Sequence, residues 1–113
     1  MPLGTTFGTL QRITLITDES LEKMLLDKAR ALGADNYVCS YCSGKPLHVA
    51  VEDPRRMGSL VRIELLAQAE AAQAILEYVN HLLVRNYPLT VLMDSVMALP
   101  LAALDGGLNL TRN

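Results

Sequence analysis

A chain of 113 residues, half of them apolar and 19% charged, is sized and composed for one soluble domain with a single core. With one Phe and no Trp that core must be aliphatic, and a net charge of −2 gives no electrostatic reason to bind nucleic acid or an anionic membrane. No apolar run reaches the roughly eighteen residues of a membrane span. The opening Met1-Pro-Leu-Gly-Thr-Thr-Phe-Gly lacks the basic and apolar regions of a signal peptide, so the cytoplasm is the expected compartment.

Residues 1–9 carry no periodicity and read as a loose leader. Residues 10–17 are rich in β-branched side chains and read as a strand. Asp18 or Ser20 is placed to cap the helix that follows, in which Leu21, Met24, Leu25, Lys28, Ala29 and Leu32 recur at helical spacing. Lys28 falls at the edge of this stripe, and Gly33 stands where a left-handed C′ residue ends a helix. Residues 36–42 form a second strand, with Tyr37, Cys39 and Tyr41 on one face.

The stretch 41–58 is far longer than a hairpin turn and holds two prolines and two glycines. Lys45, His48, Arg55 and Arg56 gather there in an otherwise mildly acidic chain, which marks it as the place for a ligand or partner. Residues 59–66 are the third strand. Its Val61, Ile63 and Leu65 face one way, while Leu60, Arg62, Glu64 and Leu66 make a mixed face of the kind that meets another subunit. The second helix carries a continuous stripe of Ala72, Ile75, Leu76, Val79, Leu82 and Leu83. Glu70 and Arg85 suit its dipole, Asn86 can end it, and Pro88 forbids its continuation. Residues 89–99 are the fourth strand, and 101–113 read as a mobile tail.

The order βαββαβ specifies an α+β ferredoxin-like sandwich with a long loop between strands 2 and 3, spanning residues 10–100. Both helices cover one face of an antiparallel sheet. The other face is too apolar to stay open, which implies a homo-oligomer.

The element order, the helix ending in Ala31-Leu-Gly-Ala, Asn36-Tyr37 leading a strand into Ser43-Gly44-Lys45, and the strand 60–66 resemble the PII-like signalling proteins. The likeness covers roughly residues 10–99 and is nearest in character to members associated with bicarbonate transport or carboxysome loci, where a Tyr precedes the last strand as Tyr87 does here. It implies a non-enzymatic homotrimer with an adenyl nucleotide in each intersubunit cleft. It also implies a long loop, here 43–57, that docks on a membrane transporter or an enzyme and can recruit the protein to a membrane. Carried over, Cys42, Ser43, Gly44 and Lys45 flank the nucleotide, Leu89 and Thr90 border its base, and His48, Arg55 and Arg56 contact phosphate or partner. Small residues let backbone N–H groups approach phosphates, and Lys45 supplies a point charge. No glycine-rich step precedes the last strand, so AMP, ADP or cyclic AMP fits more easily than ATP as the regulatory ligand. No cofactor is required.

Other readings stand beside these. Ser-Gly-Lys-Pro is also a common turn, Arg55 and Arg56 an ordinary solvated pair, and His48 an exposed loop residue without a partner for acid–base work. His81 falls on the polar side of its helix, and Asp94 and Arg62 are placed to pair across a subunit contact. The spacing of Cys39 and Cys42 suggests a redox pair or half a zinc site, and with His48 they offer an alternative: a metal-binding or metal-tolerance protein of the same trimeric fold. Residues three apart on a strand face opposite ways, so the plainer expectation is one buried and one rim cysteine and no metal. A small enzyme is disfavoured, because no acid, base and nucleophile converge.

Overall fold

The computed structural model describes residues 8–49 and 59–99. Their order is β1 (Gly8–Asp18), a 3₁₀ turn (Glu19–Leu21), α1 (Glu22–Ala31), β2 (Asn36–Cys42), β3 (Leu60–Ala67), α2 (Ala69–Val84) and β4 (Leu89–Ala98). The strands form one antiparallel sheet in the order β2-β3-β1-β4, with both helices on one face. This is the ferredoxin-like sandwich expected from the element order. Gly8 and Thr9 belong to β1, pairing with Ala98 and Met97, rather than to a leader. The rest of that leader, Arg55, Arg56 and the tail lie outside the described residues.

Alternation along the strands sets the two faces. Ile13, Leu15 and Thr17 of β1, Val61, Ile63 and Leu65 of β3, and Leu89 of β4 are buried on the helix side. From the helices, Leu25 and Ala29 of α1 and Ala72, Ile75, Val79 and Leu82 of α2 close the same core. Each fully buried aliphatic side chain contributes about 1.5–3 kcal/mol. The stripe of α2 stops one residue short of expectation: Leu82 is 6% exposed and Leu83 40%. Lys28 lies 5.4 Å from the centre of the Tyr78 ring, a cation–π contact that ties α1 to α2 at the margin of the stripe.

Both helices end in the same way. Gly33 (φ 110°) and Asn86 (φ 63°) take the left-handed conformation at C′. The N–H groups of Gly33 and Ala34 return to the carbonyls of Arg30 and Ala29, and those of Asn86 and Tyr87 to Leu83 and Leu82. These are Schellman motifs, which satisfy carbonyls the helix leaves open. At the other end of α1, Asp18 occupies the N-cap of the 3₁₀ turn in extended conformation, yet neither it nor Ser20 supplies a side-chain cap.

The face away from the helices carries Arg12, Thr14 and Ile16 from β1, Val38 and Ser40 from β2, Arg62, Glu64 and Leu66 from β3, and Leu92, Asp94 and Val96 from β4. It is a shallow mixed surface with a depression of about 360 Å³ between Arg12, Thr14, Ile16, Arg62, Glu64 and Leu92.

Candidate ligand site at the loop base

In this antiparallel sheet, the end of β2, the start of β3, the end of β1 and the start of β4 share one edge of the molecule. Glu19 N–H donates to the Ser59 carbonyl at 3.0 Å there, and the Thr17 hydroxyl donates to the Pro88 carbonyl at 2.6 Å. Four chain ends are thereby pinned within one neighbourhood, and the long loop leaves from it.

Cys42, the last residue of β2, is half-buried on the open-face register opposite Leu60. Ser43, Gly44 and Lys45 follow and are exposed. Gly44 has φ 152° and open space where a side chain would stand, so a Cβ is refused here by backbone conformation rather than by crowding. A turn follows, closed by the Val49 N–H on the Pro46 carbonyl at 3.0 Å. It points Leu47 outward, 83% exposed, and turns His48 inward. The His48 backbone N–H donates to Thr90 Oγ1 at 3.1 Å, and His48 Nδ1 lies 2.6 Å from the same oxygen. Segment 43–49 therefore crosses the sheet end from the β2 edge to the β4 edge, on the face the helices leave uncovered.

The expected site residues are thus distributed unequally. Cys42, Ser43, Gly44 and Lys45 run continuously along the crossing segment, and Thr90 lies beneath its far end. Leu89 is a correction: its register partner is the buried Thr17, and at 3% exposure it is a core residue under the helices with no ligand-facing side chain. His48 is a second correction, being half-buried and docked on Thr90 rather than an exposed loop residue. The alternative metal set does not assemble. Cys39 points to the helix side and Cys42 to the other face, both are free and half-buried, and His48 is engaged with Thr90. Among the described residues, no three His, Cys, Asp or Glu side chains gather to hold a metal.

Two side-chain contacts, Tyr41 with Glu22 and Arg12 with Asp94, had no sequence signal. The Tyr41 hydroxyl donates to the Glu22 carboxylate, 2.9 and 3.1 Å from its two oxygens, tying the loop root to the first turn of α1. That bond holds the phenol above its usual pKa, while the Cys39 thiol is raised first by burial and then by Glu22. On the open face Asp94 pairs with Arg12 and Arg62 with Glu64, so within the chain each of the two charges expected at a subunit contact already has a partner. The packing of α1 on β2 decides the first, and the β1–β4 register decides the Arg12–Asp94 pair. No described helix is long and apolar enough to cross a membrane.

No family model matches the chain, and no curated protein is significantly similar to it. Solved structures are. A PII-like signaling protein of Thermus thermophilus superposes with a TM-score of 0.72 at 20% identity, over 88% of this chain and 98% of that one. CPII of Thiomonas intermedia K12, a nitrogen regulatory PII-like protein, in its apo form gives 0.66 at 15% identity, over 83% and 96%. The structure of CPII bound to ADP, AMP and acetate gives 0.69 at 18% identity, over 82% of this chain and 91% of that one. Likeness at these identities concerns backbone architecture, and on that ground the chain has the fold of the PII-like signalling proteins.

Proposed function

We propose that this chain is a non-enzymatic PII-like regulator that binds an adenyl nucleotide at the loop base and reports occupancy to a partner protein through the loop. The observation that carries the reading is the course of segment 42–48. It leaves β2 through Ser43-Gly44-Lys45 and runs over Thr90 on a fold whose solved relative CPII is described bound to ADP and AMP. Exposed backbone N–H groups around Gly44 suit phosphate oxygens, Lys45 adds one positive charge, and Thr90 offers a hydroxyl to the base or ribose. Cys42 and Ser43 form the near wall. Arg55 and Arg56 serve phosphate or partner contact, and a membrane transporter or an enzyme is the partner class.

Three subunits meet through their open sheet faces in this reading, which supplies the second wall of each cleft. Ile16, Val38, Leu66, Leu92 and Val96 support this, because so much apolar surface on one face is seldom left to water. The cytoplasm is the matching compartment.

Calorimetry with ADP, AMP, cyclic AMP and ATP tests the ligand. Saturable heat with at least one, lost in Lys45→Ala or Gly44→Val, is expected. Silence from all four at millimolar concentration overturns the nucleotide reading. A light-scattering mass of one subunit would remove the intersubunit cleft.

A further inference from the structure

Thr90 sits on the open-face register of β4 opposite Ile16, two residues from the exposed Leu92, yet it is only 4% exposed. His48 covers it. A threonine hydroxyl has one donor and two acceptor sites. The His48 N–H uses one acceptor site at 3.1 Å, and the imidazole Nδ1 at 2.6 Å uses a second valence. At most one is left, in a position already shut from solvent. A ligand atom can therefore bond Thr90 only where His48 has withdrawn.

We propose that the His48–Thr90 contact is a latch that holds segment 43–49 across the sheet end in the ligand-free protein and competes with the ligand for Thr90. The inference rests on the reading of this end as the ligand site, and it adds how that site is closed. The Pro46–Val49 turn fixes the direction in which His48 points, since Pro46 has a restricted φ and the Val49 N–H closes the turn. The latch is weak enough to open. Two hydrogen bonds on one partly screened hydroxyl bias the equilibrium by about five- to tenfold, which a ligand with ordinary affinity overcomes. Displacing His48 would change the path of the chain at the root of the loop, which is where a report of occupancy must begin.

The test uses the full chain with His48→Ala, Thr90→Val and Thr90→Ser. Neither site carries the core, so circular dichroism should match wild type in all three. Amide hydrogen exchange across 43–49 is measured without ligand, and ADP affinity by calorimetry. Exchange is expected to accelerate about fivefold or more in His48→Ala and Thr90→Val, and to stay slow in Thr90→Ser. ADP should bind about five- to tenfold more tightly to His48→Ala, because the competitor is gone. Unchanged exchange in His48→Ala overturns the latch, and faster exchange with weaker ADP binding overturns the competition. Should wild type take up none of ADP, AMP, cyclic AMP and ATP, the nucleotide reading fails by itself, and the exchange rates alone decide the latch.

Discussion

Arg12 and Asp94 are register partners on β1 and β4 and meet in a two-pronged ion pair. Nε donates to Oδ1 at 2.9 Å and Nη2 to Oδ2 at 2.6 Å. Beside them Arg62 and Glu64, two positions apart on β3, pair at 2.9 Å. The open face thus carries two positive and two negative groups in alternation within an apolar surround. Such a face is neutral as a whole, and copies of it can approach without net repulsion.

The guanidinium of Arg12 holds the Asp94 carboxyl below its ordinary value. A carboxylate with a lowered folded pKa contributes stability that is complete above the ordinary value near 3.8. That contribution is lost as pH falls through the lowered value. The difference in urea midpoint between wild type and Asp94→Asn should therefore be flat from pH 8 to 5 and shrink only in stronger acid. A difference that vanishes already near pH 6 would place the titrating group elsewhere.

Leu92 stands 46% exposed on this face, on the edge strand β4. Leu92→Glu adds a charge that a sheet-to-sheet seam must desolvate, while leaving the helix-side core untouched. On the proposed sheet-to-sheet assembly, light scattering should show Leu92→Glu as a single subunit where wild type is an oligomer, with the thermal midpoint of the subunit little changed. An oligomer that survives Leu92→Glu is joined through another surface.

Gly33 combines a φ of 110° with a Cβ position only 3.2 Å from the Ala71 side chain. Gly33→Ala should cost about 1–2 kcal/mol from the left-handed backbone alone, with the contact to α2 adding to it. Chemical denaturation measures this directly. A loss below half of that would mean the α1–β2 connection relaxes to another conformation.

Tyr41 and Glu22 make a prediction in alkali. The hydrogen bond to Glu22, followed by its charge, raises the Tyr41 pKa. Because the folded value is the higher one, the stability gained is complete below the ordinary phenol range and disappears as pH rises through the raised value. In an absorbance titration, Glu22→Gln should move one tyrosine of the four to lower pH. The Tyr78 transition, raised first by burial, should stay in place. No movement would show that the Tyr41–Glu22 bond is absent in solution.

The local chemistry of the chain was enough to fix its elements. Ala72, Ile75, Val79 and Leu82 recur with the helical period, Gly33 and Asn86 tolerate positive φ, and Pro88 denies α2 another turn. These are properties of neighbours in sequence, so the order βαββαβ and its two-layer packing could be read without coordinates. The loop base was legible as a place, because Ser43-Gly44-Lys45-Pro46 cannot continue a strand. Its contents were not. Whether Leu89 or Thr90 faces a ligand depends on which residue of β1 lies opposite, and a shift of one position exchanges the faces. Arg12 finds Asp94, Tyr41 finds Glu22 and His48 finds Thr90 across 82, 19 and 42 residues, respectively. Hydrogen-bond partners so far apart are set by strand register and chain crossing, which depend on the whole sheet closing at once, and only the tertiary structure could decide them.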